Sequence, residues 1–157
     1  DEGVGLVLND NVPLTDISAL AGMPLTSLNL DHTKVRDIRA LQGMPLRVLS
    51  LGSCSGVDIA PLKGMPLTFL NLYDTGVTDL SPLKGMPLKR LDCGVNTGLS
   101  DISPLKGMPL EQLQIQATKV RDVSPLKGAP LKWIRIDSTG ITDLSAIKDI
   151  PGIAIQR

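Results

Sequence analysis

Residues 67–87 read LTFLNLYDTGVTDLSPLKGMP, and this stretch carries a complete structural unit. Its first part alternates. Leu70 and Leu72 point one way, while Phe69, Asn71 and Tyr73 point the other. Period-two alternation is the signature of a short strand with one buried face. The second part, Asp79-Leu80-Ser81-Pro82-Leu83-Lys84-Gly85, reads as a return turn. Ser81 suits an N-cap, Pro82 a first helical position, and Gly85 the residue just past a helix end. So few residues lie between start and stop that one 3₁₀ turn is expected rather than a full helix. Leu80 and Leu83 point inward from that turn, and Met86 fills the corner before the next strand.

The unit recurs along the chain. Gly-Met-Pro-Leu begins at Gly22, Gly43, Gly64, Gly85 and Gly107, and Gly-Ala-Pro-Leu begins at Gly128, with spacings of 21, 21, 21, 22 and 21 residues. A fixed period in the twenties means one small unit stacked on copies of itself, each burying its neighbour's apolar face. The copies run 3–24, 25–45, 46–66, 67–87, 88–109, 110–130 and 131–151, with a partial copy at 152–157, in a single domain spanning 1–157. One inward column is Leu6, Leu28, Leu49, Leu70, Leu91, Leu113 and Ile134. The other is Leu8, Leu30, Leu51, Leu72, Cys93, Ile115 and Ile136. Every copy runs the same way and needs a return path, so successive strands must be parallel. All five methionines (Met23, Met44, Met65, Met86 and Met108) hold the same corner and read as core filler.

Composition narrows the function classes. The 157 residues carry 16 basic and 16 acidic side chains, a formal net charge of zero. A nucleic-acid binder normally shows a basic surplus, so no nucleic-acid partner is expected. No apolar run is long enough to insert in a membrane. Cys54 and Cys93 lie in copies that are not adjacent, roughly 10 Å apart at ~4.8 Å per strand. A disulfide needs Cα atoms within about 7 Å, so two free, buried thiols are expected, which leans toward a reducing, cytoplasmic compartment.

The consensus L-x-x-L-x-L-x-x-N/C-x-L identifies a leucine-rich repeat. Its ninth position is held here by Asn11, Thr33, Cys54, Thr75, Asn96, Thr118 and Thr139. The segments DLSPLKGMPL (79–88) and DISPLKGMPL (101–110) resemble the short repeats of bacterial internalins. The Gly-Met-Pro-Leu closure resembles repeat arrays of planctomycete proteins, some of which are attached to kinase domains. The resemblance implies an α/β leucine-rich-repeat solenoid with a right-handed superhelix. A parallel sheet would form its concave face and short 3₁₀ turns its convex face. It implies a binding role, with a sensory or regulatory module of a larger bacterial protein, such as a kinase, as the alternative.

Two ladders belong to the scaffold. Asp16, Asp37, Asp58, Asp79, Asp101, Asp122 and Asp143 each precede a one-turn helix, where a carboxylate accepts backbone N–H bonds. A calcium ladder is the competing reading. Lys63, Lys84, Lys106, Lys127 and Lys148 recur on the convex turn, as a solvated face does.

Variation concentrates in the outward strand columns. One runs Gly5, Ser27, Val48, Phe69, Arg90, Gln112, Trp133; the next runs Val7, Asn29, Ser50, Asn71, Asp92, Gln114, Arg135. The third runs Asn9, Asp31, Gly52, Tyr73, Gly94, Gln116, Asp137. The chain's only Phe, Tyr and Trp all fall in these columns, whereas the core is aliphatic. Aromatics with arginine are the usual anchors of protein interfaces. Phe69, Asn71, Tyr73, Arg90, Asp92, Gln112, Gln114, Trp133 and Arg135 therefore form the expected contact set for a protein or peptide. Gly52 and Gly94 beside Tyr73 leave room for its ring or for a ligand.

No catalytic, metal or cofactor constellation appears. His32 lies in the copy next to Cys54, but the inward ninth position should leave that thiol buried and inert. The first and last strands have no visible cap. Open edges invite pairing with other chains, so a homo-oligomer or a flanking domain at the ends is expected.

Overall fold

The computed structural model describes residues 3–157. Eight strands form one sheet in sequence order: β1 Val4–Val7, β2 Leu25–Asn29, β3 Val48–Ser50, β4 Phe69–Asn71, β5 Arg90–Asp92, β6 Gln112–Gln114, β7 Trp133–Arg135 and β8 Ala154–Gln156. Every neighbouring pair is parallel. The partial copy at 152–157 contributes the eighth strand. Leu28, Leu49, Leu70, Leu91, Leu113 and Ile134 register opposite one another across β2–β7, as the inward column requires. All six are at most 2% exposed.

Each of the first six copies returns through one 3₁₀ turn: Ser18–Leu20, Arg39–Leu41, Ala60–Leu62, Ser81–Leu83, Ser103–Leu105 and Ser124–Leu126. The seventh copy closes through hydrogen-bonded turns, with the Ile147 and Lys148 N–H groups both donating to the Leu144 carbonyl. The turns differ from expectation in their caps. Ser81 is the first helical residue and Pro82 the second, and Leu80 occupies the cap position. The capping oxygen comes from one residue earlier. The Ser81 N–H donates to Asp79 Oδ1 at 2.7 Å, and the Ser81 hydroxyl to Asp79 Oδ2 at 2.8 Å.

All seven aspartates of the ladder accept such a backbone bond, at 2.7–3.0 Å. Hydrogen bonds to the ionised form favour it. The backbone N–H and hydroxyl of Ser81 hold Asp79 below the usual carboxylate range, and those of Ser18 and Ser145 do the same for Asp16 and Asp143. Asp37 is drawn down to about 2, chiefly by the Arg39 guanidinium. The ladder is thereby engaged with the scaffold.

The stack weakens at its first copy. Leu6 and Leu8 are only partly buried, and Val4, Val7 and Val12 are more than half exposed. Met23 is 38% exposed, whereas Met44, Met65, Met86 and Met108 are at most 4%. The expectation that Met23 is core filler fails, because the first copy is covered on one side only. Among the described residues, no helix is long and apolar enough to cross a membrane.

The ninth position closes the turn that follows each strand. Thr75, Thr118 and Thr139 each donate their hydroxyl to the carbonyl three residues back, of Leu72, Ile115 and Ile136. Asn96 does much more. Its Oδ1 accepts from the N–H groups of Thr75, Gly76 and Val77, and its Nδ2 donates to the carbonyls of Leu72, Cys93 and Gly94.

Candidate binding face

The strand register assembles the expected contact residues into two adjacent rows. Phe69, Arg90, Gln112 and Trp133 align in one, and Asn71, Asp92, Gln114 and Arg135 in the other. Tyr73 follows β4 in the third outward column, whose backbone continues the ladder: the Ser53 N–H donates to the Tyr73 carbonyl and the Asp74 N–H to the Gly94 carbonyl. Pleating turns all three columns away from the aliphatic core.

The face is partly self-satisfied. The Arg90 guanidinium lies 4.8 Å from the centre of the Phe69 ring, so it covers that ring as a cation–π pair. Phe69 and Trp133 are half-buried and Tyr73 is 39% exposed. The Arg135 Nε donates to Asp137 Oδ1 at 2.6 Å, and this bond raises its already high pKa. Gln112 stands exposed and Gln114 half-buried.

Two of the expected contact residues also serve the backbone. Asn71 Oδ1 accepts the Tyr73 N–H at 2.9 Å, and Asp92 Oδ1 accepts the Gly94 N–H at 2.9 Å. Asn29 repeats the device with the Asp31 N–H. A short carboxyl or amide at this position therefore turns the chain off the sheet, an Asx-type bond. Asn71 is further held by Ser50 Oγ at 3.0 Å and by Asp31 Oδ1 at 3.3 Å. Asp31, absent from the sequence-derived set, organises this corner: it also accepts from the Ser50 hydroxyl and the Gly52 N–H.

The expected room around Tyr73 is taken. A Cβ at Gly52 would sit 2.7 Å from Asn71 Nδ2 and 2.9 Å from Asp31 Oδ1. A Cβ at Gly94 would sit 2.3 Å from the Gln116 amide nitrogen. The glycines admit neighbouring side chains instead of a ligand. Gln116 is 4% exposed, and its Oε1 is the one buried side-chain polar atom without a hydrogen-bond partner among the described residues. A small residue beside a long amide in the same column is the sequence signal for this packing.

Burial pushes the Asp92 carboxyl up, against the Gly94 N–H bond and the nearby Arg135 charge, which pull it down. A raised folded pKa means that the fold binds the proton more tightly than the unfolded chain. The stability Asp92 contributes is then full below the unfolded value of about 3.9 and is lost as pH rises through the folded value. Asp92→Asn keeps the acceptor that Asn29 and Asn71 supply elsewhere. This variant is expected to melt higher than the parent at pH 7, with the gap closing toward pH 3. Calorimetry at both pH values checks this, and a lower melting temperature at pH 7 would mean that Arg135 attraction outweighs burial.

Cys54 and Cys93 are free and buried. Burial pushes both thiols up. The Cys54 Sγ donates to the Leu30 carbonyl at 3.1 Å and lies 3.4 Å from the Thr33 hydroxyl. His32 is exposed at a left-handed turn, with φ of 57°. A thiol held protonated is a poor nucleophile. No group of three or more metal-ligating side chains occurs among the described residues.

With the face described, the architecture can be set beside solved structures. The crystal structure of internalin C2 from Listeria monocytogenes matches with a TM-score of 0.91 at 29% identity, over 97% of this chain and 70% of that one. A second internalin of that organism, inlF, matches with a TM-score of 0.73 at 26% identity, over 95% of this chain and 52% of that one. No protein-family model matches the sequence, and no curated protein does. Parallel strands in sequence order, one short turn per copy and these neighbours together make the fold a leucine-rich-repeat solenoid of internalin-like repeats.

Proposed function

We propose that this chain is a non-enzymatic scaffold that binds a protein or peptide across the concave sheet face between β4 and β7. The carrying observation is the placement of Phe69, Tyr73 and Trp133, the chain's only aromatics, on that face above an aliphatic core. Arg90, Gln112, Gln114 and Arg135 border them and supply charge and hydrogen-bond donors. Large rigid rings beside arginine lose little entropy on contact and are the usual energetic centre of an interface. The likeness to internalins supports an interaction scaffold in general. Asn71 and Asp92 act mainly by fixing the backbone beneath the partner.

The test compares proteins retained from the native host's extract by the immobilised parent and by Phe69→Ser/Tyr73→Ser/Trp133→Ser. Circular dichroism confirms that the variant is folded. Retention is expected to fall at least about tenfold, the scale of losing two or three anchors. Lys63→Ser/Lys84→Ser, on the convex turn, should retain what the parent retains. Equal retention by the aromatic variant would move the binding surface elsewhere.

A further inference from the structure

Two grooves on the flank of the solenoid, outside the concave face, are copies of each other. Thr15, Lys34, Arg36 and Ser53 line a cavity of about 600 Å³ in the first three copies. Ser100, Lys119, Arg121 and Ser138 line one of about 570 Å³ in the fifth to seventh. The two sets lie at matching positions, each residue the same distance along the chain from its counterpart. Their backbones agree as well. The Lys34 N–H donates to the Leu14 carbonyl at 2.9 Å, and the Lys119 N–H to the Leu99 carbonyl at 2.8 Å. In the copies between and after them, the Lys34 and Arg36 positions are held by Ser55 and Val57, Gly76 and Thr78, Gly98 and Ser100, or Gly140 and Thr142. The basic pair is therefore specific to these two grooves and not part of the repeat.

The donors are unspent. Among the described residues, Lys34, Arg36, Lys119 and Arg121 make no salt bridge, and the four hydroxyls make no side-chain hydrogen bond. Each arginine lies over a glycine of the next copy: a Cβ at Gly56 would sit 3.5 Å from Arg36 Nε, and one at Gly140 would sit 3.1 Å from Arg121 Nε. The acid in the first groove, Asp37, is neutralised by Arg39. Its counterpart Asp122 accepts only from Ser124 and pairs with no cation among the described residues. The first groove is thus the more positive.

We propose that each groove binds a tetrahedral oxyanion, and that the pair engages one linear polyanion carrying repeated sulfate or phosphate groups. An arginine fork, an ammonium and two hydroxyl donors around one cleft are the chemistry of oxyanion recognition. No aromatic lines either groove, so bases have nothing to stack on and single-stranded nucleic acid is disfavoured. Four copies separate the grooves, roughly 19 Å at ~4.8 Å per strand, a span that an extended polymer bridges with a gain in effective concentration.

Binding of dextran sulfate and of long-chain polyphosphate is measured at about 50 mM salt for the parent and three variants. Lys34→Gln/Arg36→Gln is expected to weaken the affinity for at least one polymer by about tenfold. Lys119→Gln/Arg121→Gln should weaken it less, and the fourfold variant should abolish it. Lys63→Gln/Lys84→Gln removes the same charge from the convex turn and should stay within about twofold. Which polymer binds distinguishes a sulfated from a phosphorylated source. An equal loss in the convex-turn control, equal binding of an oligothymidylate of matched charge, or no binding of either polymer would overturn the proposal.

Discussion

Asn96→Ala is expected to destabilise the fold by on the order of 4 kcal/mol, more than any other single polar substitution in this chain. Asn96 is fully buried, and its amide bonds to backbone in two copies at once. Removing it takes the side-chain acceptor from the Thr75, Gly76 and Val77 N–H groups and leaves the Leu72 carbonyl only the Thr75 hydroxyl. Each buried group left unpaired costs roughly 1–3 kcal/mol, less where water can reach it. Urea titration at unchanged slope measures the loss. Asn96→Thr should recover part of it, since the Thr75 and Thr118 hydroxyls already serve one carbonyl each in their own copies. A loss below about 1 kcal/mol would mean that stacking alone holds the turns.

The same residue shows how far the sequence can be read. The ninth position is legible from its period, and so are the strand columns, because alternation and a fixed repeat leave one register that buries every leucine. The partners of Asn96 are not legible. Its acceptors and donors lie about one copy back as well as locally, and only folding brings them within reach. Similar limits apply on the binding face. Asparagine and aspartate suit both a contact surface and a backbone bond two residues on. The double duty of Asn71 and Asp92 therefore emerges only with the Tyr73 and Gly94 N–H groups in place. Gly52 and Gly94 suggest open space in the sequence, yet the space above each is filled from a neighbouring copy by Asp31, Asn71 or Gln116. The flank grooves were hidden for a further reason. Each draws its donors from three successive copies, and a lysine and arginine two residues apart look like ordinary solvated charge until the hydroxyls of adjacent copies are seen around them.

Position along the stack should matter as much as chemistry. Leu70 is fully buried, with Leu49 on one side and Leu91 on the other. Leu6 occupies the same column but has only Leu28 beside it and is partly exposed. Leu70→Ala is expected to cost about 3–4 kcal/mol, the range for a buried leucine whose surroundings cannot collapse. Leu6→Ala should cost about 1 kcal/mol, since part of its surface already meets water and an edge strand can relax into the gap. The two variants should also differ in cooperativity. Stability in a stacked array is a sum of copy and neighbour terms. A defect at Leu70 weakens the coupling between the two halves and should lower the urea slope, whereas a defect at Leu6 leaves the remaining copies coupled and the slope nearly unchanged. Hydrogen exchange gives an independent reading: β1 amides should lose protection first in both parent and Leu6→Ala, and β4 and β5 amides only in Leu70→Ala. Equal costs at the two positions would mean that the first copy is as well covered as the fourth, against the exposure of Val4, Val7 and Met23.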